Sequence, residues 1–298
     1  MRSILLVTWF DLRESLRSRQ AVALLIIYLL GSMAATGLFV ALLSEIENAL
    51  ANSLSVSQTD RPGAMTEALM ESEEMLEIAS GLIGDRKLAE ELVSIPPIAL
   101  FYGWLSLTFV PLLVAFTSAD TISSELSSGS ARFALFRTDR LHWTLGKLGG
   151  QTLLMFVGIL SGAMGVWIIG FAALASFQPA ATALWLLTLS TRASIYGFTF
   201  LGLTLGISQI NRSSHSSRAL ALLLLIALGI GGIVTGSEEL QKHAPILISS
   251  IHPLFPNAHR IDLWRPDLLS RLPSILMLLA MSATYFGAGH MVMSRRDA

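Results

Sequence analysis
AVALLIIYLLGSMAATGLFVALLS, residues 21–44, carries no charged side chain. A helix needs roughly 20 apolar residues to cross the ~30 Å hydrocarbon layer, because lipid offers its backbone groups no other hydrogen-bond partner. Residues 21–44 satisfy that length, and the same ruler finds uncharged runs at 98–119, 148–175, 219–237 and 272–294. A further run, 181–210, is interrupted only by Arg192. Ser176-Phe177-Gln178-Pro179 supplies an uncharged turn that makes the third and fourth runs a tight hairpin. The fold class this implies is an all-α integral membrane protein with six transmembrane helices.

Composition agrees: of 298 residues 53% are hydrophobic and only 14% charged, where an ordinary globular chain carries about a quarter charged. With 20 Lys and Arg against 21 Asp and Glu there is no basic excess for a nucleic acid. Cysteine is absent, which removes disulfides, thiolate metal sites and cysteine nucleophiles together. Residues 1–20 place Ile4, Leu5, Trp9, Leu12 and Leu16 on one helical stripe, as suits an amphipathic helix in the membrane interface. The apolar run behind it is too long for a signal-peptide core, so it reads as retained.

Lys and Arg in short loops resist translocation. Arg2, Arg13, Arg17 and Arg19, then Arg132, Arg137, Arg140 and Lys147, then Arg212 and Arg218, then Arg295 and Arg296 all fall on one side. That side is expected to be cytoplasmic, with both termini on it and the protein in a bacterial inner membrane. Opposite lies the insert 45–97, where Arg61, Arg86 and Lys87 meet eleven acidic residues from Glu45 to Glu91. Apolar positions Met65, Ala68, Leu69, Leu76, Ala79, Leu82 and Ile83 predict a helical hairpin there, broken at Gly81 or Gly84. Its acidic face either recruits a periplasmic partner or is merely solvated. Segment 238–271, with ILISSIHPLF and several prolines, predicts re-entrant or interfacial pieces or an ordinary loop. Segments 120–147 and 211–218 are the cytoplasmic loops.

The first of these loops, ADTISSELSSGSARFALFRTDRLHWTLGKLGGQ (119–151), resembles the type-2 superfamily of ABC transporter permeases. That pattern has an Asp, Ile-Ser-Ser-Glu, a Gly-Thr pair, leucines, a Pro-x-x-Arg turn and a Gly-Lys entering the next span. This chain supplies Asp120, Ile122, Ser123, Ser124, Glu125, Gly129, Leu135, Arg140, Gly146 and Lys147, and departs at Ser130 and Arg137. RESLRSR (13–19) is similar to the family's elbow, GISQINRSSHSSRA (206–219) to its fourth-to-fifth loop, and Ser294-Arg295-Arg296-Asp297 to its usual close. The resemblance implies a permease subunit, probing residues Asp120, Ser123, Ser124, Glu125, Ser127, Gly129 and Arg132 as the surface that couples to an ATPase. It also implies two ABC ATPase subunits that bind ATP and Mg, a second permease copy in a homodimer, and export by alternating access. The alternative is a non-transporting mechanotransmitter or scaffold for an exocytoplasmic partner. In the coupling segment Ser123 or Ser124 is expected to cap a short helix, with Glu125 at its positive end and Gly129 ending the turn.

No G-x-x-x-x-G-K-[ST], G-x-S-x-G or H-E-x-x-H occurs, so no catalytic, cofactor or metal residue is assigned in this chain. Arg192 is the one charge inside a span, either a substrate contact or a structural charge. Counting from Ile210 at 1.5 Å per residue puts it roughly 27 Å away, near the outer interface, where snorkelling relieves its cost. The methionines and His290 read as packing rather than a soft-metal path. Gly158/Gly162, Gly202/Gly206 and Gly232/Gly236 have the spacing that lets helices approach closely, inside the bundle or at a dimer seam.

Overall fold
The structure, a computed structural model, describes residues 2–54, 62, 63, 66, 70, 72–237, 242 and 245–295. Among them there are helices and no strand, and six helices are long and apolar enough to cross a membrane. The chain is an all-α integral membrane protein. These spans are α2 (Arg19–Leu54), α5 (Pro97–Ser118), α8 (Arg140–Ala173), α9 (Pro179–Ile210), α10 (Ser214–Thr235) and α12 (Leu268–Ser294). Around them lie α1 (Arg2–Arg17), α3 (Glu73–Ile83), α4 (Arg86–Ser94), α6 (Thr121–Ser128), α7 (Ala131–Leu135) and α11 (Pro245–Ile251). After α11, 3-10 turns cover His252–Leu254, Pro256–His259 and Asp262–Trp264.

Several helices run past their apolar runs, because a backbone ladder continues into water wherever its end is capped. α8 starts at Arg140 rather than 148, with the Asp139 carboxylate accepting from the His142 backbone N–H at 2.9 Å. That bond, with a second to the His142 ring, holds the Asp139 carboxyl below its usual range. Residues 140–147, expected in a loop, are therefore helical. α2 likewise continues ten residues beyond Ser44.

α9 is the central pillar, packed against α5, α8, α10 and α12. In a bilayer apolar contact alone gives helices little reason to associate, so small residues and hydroxyls decide the seams. Thr199 donates to the Leu278 carbonyl at 3.1 Å, and Ser282 of α12 returns a bond to the Phe198 carbonyl at 2.8 Å. Tyr102 of α5 donates to the Ile159 carbonyl of α8 at 2.8 Å and meets Ser190 of α9 at 3.2 Å. A side chain on Gly206 would strike the backbone of Tyr285, and one on Gly289 the backbone of Gly206. Gly158 and Gly162 receive side chains of α2 and α5, and Gly232 receives Asn257. The paired glycines thus serve close packing within one chain. α2 and α10 are the least buried spans.

In the insert α3 and α4 pair as a hairpin, and Gly84, at φ 72°, ends α3 while Gly81 stays inside it. Asp85 caps α4 through the N–H groups of Lys87 and Leu88. Met65, Ala68 and Leu69 of the expected hairpin, and Arg296 and Asp297 of the closing motif, lie outside the described residues. Glu47, buried on α2, accepts from the N–H groups of Gly63 (2.9 Å) and Thr66 (2.8 Å) and from the Thr66 hydroxyl (2.6 Å). This carboxylate pins the start of the insert to the bundle. Segment 252–264 folds down between the spans: Phe255 sits on Gly231, and Trp264 covers Gly103.

The α9–α12 seam sets a test. Gly206→Val and Gly289→Val should each lower the thermal midpoint of the purified protein by roughly 5 °C or more, because backbone, not a pliable side chain, occupies the space. Gly229→Val, which meets open space, should leave it within about 1 °C. Equal losses at all three would contradict the seam.

Candidate functional site
The arginine-rich end of the bundle gathers the expected coupling residues. α5 ends at Ser118, and α6 starts only three residues later, so there is no extended residue to fold back as a cap; Asp120 sits at φ −117°, ψ 4° and makes no side-chain capping bond. The expected capping by Ser123 or Ser124 is not found. Ser123 bonds back to the Asp120 carbonyl and Ser124 to the Thr121 carbonyl, both at 3.3 Å. The cap comes instead from α9: the Ser208 hydroxyl oxygen accepts from the N–H groups of Ile122 (3.0 Å) and Ser123 (2.9 Å). At the other end Gly129 adopts φ 76° and terminates α6.

Further bonds fasten the same helix. Arg218 of α10 reaches the Asp120 carboxylate at 2.7 Å, and Ser217 donates to the Ala119 carbonyl. Glu125 turns inward to Lys147 of α8 rather than standing free at the helix dipole. Lys147 also binds Asp11 of α1 at 2.6 Å, and Gln151 holds the second Asp11 oxygen at 2.8 Å. The Lys147 and Asp11 side chains are 4% and 3% exposed, so one buried cation is shared by two carboxylates from two other helices. α1 comes this close because α8 offers Gly146, Gly149 and Gly150 beneath Val7, Thr8 and Asp11. The polar, Asp11-bearing side of α1 is therefore the one that packs, and Leu5, Trp9 and Leu16 remain exposed.

What α6 and α7 leave outside is a different set. Ser127, Ser128 and Arg132 are exposed, and beside them Phe133 and Phe136 are 76% and 85% exposed. A groove of about 930 Å³ runs between these rings and Leu6 and Phe10 of α1.

At the opposite end the Arg192 side chain is 6% exposed, and it does not snorkel as expected. Burial within the bundle leaves it no path to water, and it pairs with Glu91 of α4 at 3.0 Å. A second guanidinium nitrogen points at the Trp264 carbonyl at 3.5 Å. Among the described residues no group of three His, Asp or Glu is placed to hold a metal ion.

The family model described as ABC-2 family transporter protein matches residues 5–298. The chain belongs to the ABC-2 transporter family. No curated protein matches it. As an ABC-2 type permease subunit it is the transmembrane component of an ABC transporter. The ABC-2 pattern located α6 and named Glu125 and Lys147, yet sequence reading missed other groups that hold this end together, Ser208 on α9, Arg218 on α10 and Asp11 on α1, which stand far away along the chain. It also passed over Phe133 and Phe136, whose exposure depends on which way a two-turn segment faces. Glu91 was one of eleven acidic residues in the insert with nothing local to single it out.

Removing Lys147 leaves two buried carboxylates facing each other. Lys147→Met should therefore destabilise the ABC-2 permease by about 3–5 kcal/mol, whereas Asp11→Leu/Glu125→Leu/Lys147→Met together should recover most of that loss in thermal unfolding. For the other cluster, Arg192→Leu and Glu91→Leu should each cost about 3 kcal/mol and the double variant clearly less than their sum. Strict additivity in the double-mutant cycle would dissolve the pair.

Proposed function
We propose that this permease subunit pairs with a second copy and with two soluble ABC ATPase subunits that hold ATP and Mg, and that the assembly exports a substrate across a bacterial inner membrane. Arginine-rich ends and both termini are cytoplasmic, and the insert faces outward. The carrying observation is that α6 and the two residues leading into it are bonded to α8, α9 and α10 at once, through Lys147, Ser208, Ser217 and Arg218, and that Lys147 joins the same cluster to Asp11 of α1. A push on α6 cannot be absorbed locally by bending, since three helices hold its start and inner face. It is passed to the spans, as alternating access between inward-open and outward-open forms requires.

The ATPase contact in this reading is the outer face of α6 and α7. Asp120, Ser123 and Glu125 are committed inward and position the helix, while Ser127, Gly129 and Arg132 meet the partner with Phe133 and Phe136 as aromatic anchors. Large apolar side chains standing in water next to a fixed helix are the usual energetic centres of protein interfaces. The expectation that the chain itself is no enzyme belongs to this reading, with hydrolysis by the partner.

A second reading is favoured by one contact. The Arg192–Glu91 pair joins the insert to the central helix α9, so motion can pass to or from an exocytoplasmic partner without any cargo crossing. A transporter should move cargo in sealed vesicles when residues 63–94 are removed together with Arg192→Leu; a mechanotransmitter should not need cargo and should lose its ATPase response instead.

Phe133→Ala and Phe136→Ala should each weaken recovery of the ATPase encoded beside this chain by roughly 30-fold or more, with thermal stability of the permease unchanged. Wild-type recovery by the double variant would remove the docking surface from its place on α6 and α7.

A further inference from the structure
The insert end contains a second cavity that the transport reading does not use. It measures about 220 Å³ and lies where α2, the end of α4, the start of α5 and the α8–α9 connection converge. Phe39 and Leu43 of α2 form one wall, and Phe177, Thr182 and Trp185 the other. The lid is fixed rather than loose: the Ala175 N–H donates to the Pro62 carbonyl at 2.9 Å, and Glu47 holds Gly63 from below. Gly63 has φ 116°, and a side chain there would press into Leu174, so this lid requires glycine.

Two observations say what fits. First, the lining is mainly aliphatic and aromatic, and of its hydroxyl-bearing residues Ser94, Ser176 and Thr182 it is Ser176 whose oxygen is buried without a hydrogen-bond partner among the described residues. A buried hydroxyl without a partner marks a place where a ligand group completes the bond. Second, the cavity stands level with an aromatic belt. Trp167 stacks on Phe171 at 5.5 Å, Phe177 meets both rings edge-on, and the Trp167 indole donates to the Pro179 carbonyl at 3.1 Å. Tryptophan with one apolar face and one bonded N–H is typical of the boundary between hydrocarbon and headgroups. The lipid-facing surface continues directly to the rim, where Leu42, Phe171, Leu184 and Leu187 are exposed.

We propose that this cavity binds the hydrocarbon chain of a membrane lipid from the leaflet nearest the insert, with Ser176 donating a hydrogen bond to the ester carbonyl at the top of that chain. The mainly apolar walls favour a hydrocarbon occupant, and the volume suits part of one chain rather than a whole lipid. The site is independent of transport, since it needs neither ATPase nor cargo. It makes the seat of the insert on the bundle sensitive to lipid, because Pro62, Gly63 and the end of α4 are both its walls and the insert's attachment.

The test uses the full chain, purified and placed in nanodiscs of phosphatidylcholine bearing a diazirine on one acyl chain. After irradiation, peptides covering residues 174–185 should carry more label than the plainly lipid-facing α10. Ala181→Trp fills the cavity and should lower that label roughly tenfold while leaving α10 labelling and the thermal midpoint unchanged; Ser176→Ala should lower it about threefold. Because the natural chain has no cysteine, Thr182→Cys gives a second measurement. It should react with a lipophilic maleimide and resist a charged methanethiosulfonate. Label at 174–185 that equals α10 and ignores Ala181→Trp, or Thr182→Cys reacting first with the charged reagent, overturns the proposal.

Discussion

Lys147 is the point on which the arginine-rich end of the molecule turns. Placing an ammonium group in a protein interior costs several kcal/mol unless carboxylates meet it at bonding distance. Here two do, and neither belongs to the lysine's own helix: Asp11 comes from α1 and Glu125 from α6. The cation cannot be satisfied unless three separate segments stand in register. The glycines at 146, 149 and 150 have meaning only in that light, since they let α1 come near enough for Asp11 to reach. Without the lysine they would be three weak points in a helix; with it they are the floor of a joint.

The opposite end repeats the logic with other residues. Arg192 is buried in α9 and answered by Glu91, on a helix outside the bundle. Each end of the permease thus has one buried cation inside a span, and its counter-charge is carried by an element that lies outside the membrane-crossing set. The spans themselves are joined differently, by hydroxyls bonding to carbonyls across helices and by glycines that admit a neighbour's backbone. Neutral bonds hold the bundle, and ionic ones are added where the appendages are fastened to it. Ion pairs tolerate less displacement than van der Waals contact before their buried charges are exposed, so an appendage held this way moves with its span rather than over it.

How far the sequence could be read follows from the range of each interaction. Spans are local properties: about 20 residues of hydropathy decide them, and all six were legible from Ala21 to Ser294. Gly84 and Gly129 were legible as breaks because backbone conformation at φ above zero is a one-residue matter. Helix ends were less so, since α8 reaches back to Arg140 on the strength of one carboxylate at Asp139. The site was least legible. Ser123 and Ser124 look like caps in sequence, but the oxygen that caps α6 is Ser208, 85 residues from Ser123 along the chain. Helix arithmetic placed Arg192 near the far end of its span, yet only packing decides that it turns to Glu91 instead of water.

These ranges bear on how force travels. A cap supplied by another helix differs from a local one in consequence: a helix capped by its own serine can swing away intact, whereas α6 would lose its first two N–H bonds on leaving α9. Separation of α6 from α9 also strands Asp120 from Arg218 and Glu125 from Lys147. Three losses fall together on one displacement, so local detachment of α6 is the expensive motion. Collective movement of α1, α6, α8, α9 and α10 breaks none of them. The compliant element is elsewhere, in α2, the least buried span, whose Gly31 and Gly37 open onto free space. Whatever displaces α6 is therefore transmitted as rigid-body motion of a bonded group, with the sparsely packed α2 as the surface along which it slides.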